Sequence, residues 1–372
     1  MMEEKEYSRV EELEGILDEI GAKRIFLVSG KGSYKSSGAE SKLFGILGEH
    51  TRFYDFDVNP KIEDVRRGIS LFKSRDYDLI VGVGGGSVMD MAKLIGVLSA
   101  QSRDALKYIE GEREIGGPGR PVVAIPTTAG SGAEATGFAV VYVNGKKYSL
   151  AHELMKPEHV VLDPSLTFTM PRNLAAVSGM DALSQAIESY WSVNSTEESS
   201  RYSREAMQII LENIVDSVNH NEEEARRAMV GAANLSGKAI DTTKTTAPHA
   251  LSYTFTTELG ISHGHAVGLT LGQVLKYNAG VTERDCNDLR GFNYVRQRIS
   301  EVCYFLGAEN PEVASEKIKE LMEEVGLETD FKKLGIDYSV IDKAVDGVNI
   351  ERLKNNPRLF EDKGGLKKVI ID

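Results

Sequence analysis

Three of the chain's seven histidines, His249, His263 and His265, fall within 17 residues. Imidazole both ligates divalent metals and titrates near neutral pH, so such a group points to a metal site or a proton-transfer site. Pro248, at an expected helix start, precedes His249, and Gly264 separates the other two. Upstream, Asp181, Gln185 and Glu188 stand at i, i+4 and i+7 of MDALSQAIESYW, which places them on one helix face. Taken singly, each has a bland reading: a satisfied core histidine or a solvated helix face. Three histidines with a possible Asp181 ligand favour chemistry. The stretch Asp241-Thr242-Thr243-Lys244-Thr245-Thr246 leads directly into His249. Its hydroxyls and its ammonium could hold an anionic group; alternatively the threonines cap the next helix and Lys244 is solvated.

A second kind of chemistry is suggested by Gly84-Gly85-Gly86-Ser87, between an apolar run and a helical pattern. Glycines let the backbone approach a bulky anion, and a following helix offers unpaired N–H groups at its positive end. The run is neither a GxGxxG fingerprint nor a Walker A loop. Thr127-Thr128-Ala129-Gly130-Ser131 follows the next apolar run and could donate hydroxyls to a nucleotide.

These groups need a scaffold. Apolar runs at 24–30, 51–57, 78–86 and 121–128 alternate with helical patterns at 39–48, 61–74 and 87–100, which predicts a parallel sheet covered on both faces. A hairpin is expected across Asn144-Gly145, followed by a strand near 159–163. Beyond Pro171 the pattern is helical, at 173–193, 199–215, 222–238, 249–258, 264–278, 294–306 and 311–324. The expected division is therefore an α/β domain over 1–168 and an all-α domain over 169–372.

The 372-residue chain carries 44 basic and 56 acidic residues, a formal charge of −12. Such an acidic chain suits neither nucleic acid nor an anionic membrane surface as partner. Cys286 and Cys303 lie far apart, which excludes a disulfide framework and suits a reducing cytoplasm. The segment MMEEKEYSRVEELEGILDEIG is charged and amphipathic, unlike a signal peptide, and no apolar run reaches bilayer length.

At GGGSVMDMAK (84–93), IPTTAGSGAEAT (125–136), LDPSLTFTMP (162–171), GMDALSQAIESY (179–190), PHALSY (248–253), HGHAVGL (263–269) and NPRLF (356–360), the sequence resembles the iron-containing (group III) alcohol dehydrogenases. The resemblance implies a Rossmann-like parallel-sheet domain, a helical domain of dehydroquinate synthase-like architecture, and a site in the cleft between them. It implies reversible hydride transfer between NAD(P)H and a small aldehyde or ketone. Carried over by match, Gly84, Gly85, Gly86 and Ser87 would hold the pyrophosphate. Thr127 and Thr128 would sit by the adenosine half and Lys147 near the nicotinamide ribose, with Asp90 and Ser131 joining the cofactor site. The metal positions of the family fall on Asp181, Gln185, His249 and His263. Gln185 departs from the family's histidine, so binding of iron or zinc is expected to be weak, exchangeable or absent. In a metal-free site Gln185 would donate its amide N–H to the substrate oxygen. NAD-preferring members carry Asp where this chain has Gly30; with Lys31, Ser33 and Lys35 nearby, NADP(H) is expected to serve at least as well as NAD(H). Tyr253 or His265 is expected to relay the proton, and Lys244 to hold a substrate anion, phosphonoacetaldehyde being the leading guess. A homo-oligomer, a dimer, is expected. The alternatives are a non-redox dehydroquinate synthase-like enzyme and a nucleotide-binding protein that has lost activity.

Overall fold

The computed structural model describes residues 4–348 and 350–371; Met1–Glu3 of the charged N-terminal segment lie outside the described residues. The chain divides into two compact units, Met1–Met170 and Pro171–Asp372.

Unit 1 is built on a six-stranded sheet in the order β1-β8-β5-β4-β2-β3, with every pairing parallel. The strands are β1 (Lys5–Tyr7), β2 (Ile25–Ser29), β3 (His50–Phe53), β4 (Leu79–Gly84), β5 (Val122–Pro126) and β8 (His159–Val161). Between β5 and β8 runs the antiparallel hairpin β6 (Phe138–Val143) and β7 (Lys146–Ala151). Its turn residues Asn144 and Gly145 have φ of 49° and 78°, the left-handed geometry that Asn-Gly turns supply. Both faces of the sheet are covered. Phe26, Val28 and Ile80 belong to one core with Val65 of α4 (Ile62–Lys73) and Ile95 of α5 (Gly86–Leu98). Ile25, Leu27, Leu79 and Val81 belong to another, with Leu13 and Ile16 of α1 (Leu13–Ile20). The alternation along β2 follows from the two-residue period of a strand, and double burial explains why these strands read as continuous apolar runs.

Two sequence expectations are corrected. The helix expected over 39–48 covers only α3 (Ala39–Leu43) and gives way to turns. The strand expected over 51–57 stops at Phe53, and beyond it Asp55 and Asp57 pair with Lys31. The charged N-terminal segment supplies the edge strand β1 as well as α1.

Unit 2 is helical. Its main elements are α7 (Arg172–Trp191), α8 (Glu197–Val215), α9 (Glu223–Thr243), α10 (Ala247–Leu259), α11 (His263–Ala279), α12 (Phe292–Phe305) and α13 (Pro311–Glu324). Three shorter helices, α14 (Tyr338–Asp346), α15 (Ile350–Leu353) and α16 (Lys363–Ile371), follow and were not anticipated. Helix α7 is the centre: every residue from Ser178 to Trp191 is buried, and α8, α9 and α11 pack around it. A helix buried all round shows no amphipathic stripe. Among the described residues no helix is long and apolar enough to cross a membrane.

Candidate active site

In unit 1, β4 delivers Gly84 to the carboxyl end of the sheet and Gly85 caps α5. The loop after β5 folds against it, with the Thr127 N–H donating to the Gly84 carbonyl at 2.9 Å. A Cβ on Gly85 would lie 3.4 Å from the Thr128 side chain, and one on Gly86 only 2.8 Å from Ser131 Oγ. Glycine is therefore what lets the two loops close on each other at the N-terminus of α5, a place suited to a phosphate. Ser87 also ties down a neighbouring loop, its Oγ accepting from the Asn59 N–H at 3.1 Å.

Other residues expected at the cofactor have internal work. Asp90 accepts from the Val140 N–H at 3.1 Å and lies 3.6 Å from Lys93 Nζ, so it anchors the hairpin to α5. Burial pushes its carboxyl up, against the pull of Lys93 and of Lys147 on β7. Lys31 lies 3.5 Å from Asp55 and 3.6 Å from Asp57, so its charge is already matched. The cation in contact with Gly30 is one that sequence reading overlooked. Arg52 of β3 donates to Ser29 Oγ at 2.7 Å and to the Gly30 carbonyl at 3.0 Å, held between the rings of Tyr34 and Tyr54. Only the parallel pairing of β2 with β3 brings it there.

In unit 2, Asp181 on α7, His249 on α10 and His263 at the start of α11 converge, with one ligand atom from each lying within 4.8 Å of the others. His249 Nε2 is 3.4 Å and His263 Nε2 4.0 Å from Asp181 Oδ1. The approach of α11 to α7 depends on Gly264: a Cβ there would stand 2.1 Å from the Val177 carbonyl oxygen and 2.8 Å from Asp181 Cβ.

His249 is buried and its Nδ1 meets Glu188 Oε1, which leaves Nε2 facing Asp181. Glu188 is fully buried, and its second oxygen accepts from the Thr246 N–H at 2.6 Å and the Thr246 hydroxyl at 2.8 Å. Trp191 Nε1 donates to that hydroxyl at 3.0 Å. Burial alone would favour neutral His249, but the carboxylates of Glu188 and Asp181 outweigh it and push its pKa up to about 10. His263 is more open, with 38% of its side chain exposed, and its Nδ1 lies 3.4 Å from Ser252 Oγ. The Tyr253 ring stacks parallel to it, with centroids 6.0 Å apart.

A carboxylate with two imidazoles fits a divalent ion such as iron or zinc and leaves coordination positions open. Each imidazole has a polar partner on its far nitrogen, as metal-ligating histidines commonly do. Gln185 lies one turn after Asp181 on α7 and is buried. His265, two residues beyond His263 and so about 200° around the helix, instead places Nε2 2.7 Å from the Glu328 carbonyl. The threonines before His249 are mostly engaged: Thr243 with Ser189 and the Ala239 carbonyl, Thr246 with Glu188 and Trp191. Glu188 was visible in the sequence only as a member of a helix face; its partners come from a helix far along the chain.

Residues 6–164 match the model of the iron-containing alcohol dehydrogenases, and residues 175–367 match that of the C-terminal part of the Fe-containing alcohol dehydrogenase family. A phosphonoacetaldehyde reductase of Streptomyces viridochromogenes is 36% identical over 294 residues, 76% of this chain and 73% of that protein. The crystal structure of a sulfoacetaldehyde reductase from Bifidobacterium kashiwanohense in complex with NAD+ superposes with a TM-score of 0.88 at 26% identity, covering 100% of this chain and 97% of that one. An iron-containing alcohol dehydrogenase from Thermotoga maritima gives 0.82 at 29% identity, covering 99% and 97%. The glycine loop, the carboxylate–histidine cluster and these matches together make the chain a member of the iron-containing alcohol dehydrogenase family, an oxidoreductase acting between alcohols and aldehydes.

Proposed function

We propose that the protein reduces a small anionic aldehyde to its alcohol, consuming one NAD(P)H and one proton per carbonyl. The observation that carries this reading is the convergence of Asp181, His249 and His263 within 4.8 Å, with Lys244 ending α9 shortly before His249. When bound, a divalent ion polarises a carbonyl oxygen and the reduced nicotinamide supplies hydride. Asp181, His249 and His263 would hold the ion, and Gln185 would be a weaker fourth donor, its amide offering only a neutral oxygen. Glu188 keeps the His249 ring in one orientation. Tyr253, stacked parallel to His263, hands the proton to the product oxygen; His265, turned to the Glu328 carbonyl, is left out of this role. Gly84 to Ser87 hold the pyrophosphate, with Thr127, Thr128 and Ser131 beside it. The two relatives that act on phosphonoacetaldehyde and sulfoacetaldehyde support an anionic substrate. The free thiols of Cys286 and Cys303 suit a cytoplasmic enzyme.

NADP(H) is the preferred cofactor on this reading, because Gly30 presents no carboxylate to a 2′-phosphate and Arg52 stands beside it. NAD(P)H consumption with phosphonoacetaldehyde and butanal, each with both cofactors, tests the whole. Higher kcat/KM for the anionic aldehyde and for NADPH is expected; equal values for the two aldehydes, or a clear NADH preference, would overturn the corresponding half. Gly30→Asp should shift preference toward NADH. It is best made with Ser33→Ala, since a Cβ at Gly30 would sit 2.1 Å from Ser33 Oγ.

A further inference from the structure

We propose that Arg352 is a specificity-determining residue which, with Lys244, takes the anionic group of the aldehyde. The inference rests on the reading above and names what enforces its charge preference. Arg352 belongs to α15, in the C-terminal segment, and its guanidinium carbon lies 5.2 Å from the centroid of the Tyr253 ring. That ring is parallel to His263 within 3°. Guanidinium, phenol and imidazole thus form a stack that ends on a member of the metal-binding cluster.

The same segment grips the end of α9. Arg352 Nη1 donates to Thr245 Oγ1 at 3.2 Å, and Asn355 Nδ2 donates to the Thr245 carbonyl at 3.0 Å. Thr245 directly follows Lys244, whose backbone at φ 58° and ψ 176° lies in a strained region that side chains other than glycine rarely adopt. It is held by hydrogen bonds from its N–H to the Ile240 carbonyl at 3.0 Å and from Nζ to the Asp241 carbonyl at 2.7 Å. Burial pushes the Lys244 ammonium pKa down, the Asp241 carboxylate pulls it back up and the positive charge of Arg352 adds to the depression, so two cations share the neighbourhood of one carboxylate. Among the described residues no carboxylate pairs with Arg352. With two cations and one carboxylate, the neighbourhood keeps a surplus positive charge that a bound anion would offset. A phosphonate or sulfonate, with three oxygens set around phosphorus or sulfur, matches the planar fork of arginine and the point charge of lysine.

The test compares the parent with Arg352→Gln and Arg352→Lys. NAD(P)H consumption is measured with phosphonoacetaldehyde, sulfoacetaldehyde and butanal, and phosphonoacetate binding by calorimetry. In Arg352→Gln the ratio of kcat/KM for the anionic aldehydes to that for butanal should fall roughly 10- to 100-fold, mainly through KM, with phosphonoacetate binding weakened in parallel. Added guanidinium should restore part of the loss. Arg352→Lys, which keeps charge and stem, should fall by less, and it carries the test if the glutamine variant does not fold. An unchanged ratio in these variants, with a parent that prefers anionic aldehydes, overturns the role of Arg352 and leaves the proposed substrate class standing. A parent without charge preference overturns both.

Discussion

The two candidate sites are built by opposite means. In unit 1 the loops after β4 and β5 close on each other through bare backbone at Gly85 and Gly86. In unit 2 the working groups are side chains brought from three helices, one of them fixed by a carboxylate behind it. A backbone site tolerates many side-chain changes and fails when a Cβ fills its space. A side-chain site fails atom by atom. Substitutions should therefore separate nucleotide binding from metal binding.

The largest separation should come from Gly264→Ala. The added Cβ meets the Val177 carbonyl and Asp181, both on a buried helix that cannot yield cheaply, so α11 must move away. Metal affinity, read by competition with a chelator, should drop roughly 100-fold or more. The nucleotide dissociation constant should stay within about twofold, a factor below roughly 0.5 kcal/mol. Equal damage to both would mean that the sites fail together, and the contrast would be lost. Glu188→Gln comes next. It keeps the shape but removes the charge that orients His249, and a loss of metal affinity of roughly 10- to 100-fold is expected. Unaltered affinity in that variant would show that His249 needs no orienting partner. The smallest effect is in the other direction. Gly86→Ala places a Cβ 2.8 Å from Ser131 Oγ, a side chain able to shift. Nucleotide binding should weaken about fivefold, near 1 kcal/mol, while metal affinity holds.

The same contrast explains what could be read from the sequence. A backbone site leaves a contiguous trace: a glycine run between an apolar run and a helical pattern gives its place in the chain. The parallel sheet was legible for a related reason, since strands buried on both faces read as unbroken apolar segments. The histidines and Asp181 were legible as residue types, and Gly264 as the spacer between two of them. Their partners were not. Glu188 meets His249 only because α7 and α10 pack together, and Arg352 reaches Tyr253 from a short helix with no periodic signal of its own. Arg52 needed the strand order, which pairs β3 with β2 at the sheet edge rather than between β2 and β4. The unread strand β1 spans three residues, too short for an alternation to show.

The central claim is that Asp181, His249 and His263 hold a divalent ion in spite of Gln185. It is tested most directly by titrating cobalt(II) into metal-free protein, following its visible absorption and the heat of binding in the parent, His263→Ala and Gln185→His. The expected result is one ion per chain in the parent, severe weakening in His263→Ala, and binding roughly tenfold tighter in Gln185→His, where an imidazole replaces a neutral amide oxygen. A parent that binds no ion, or binding indifferent to both substitutions, would contradict the account.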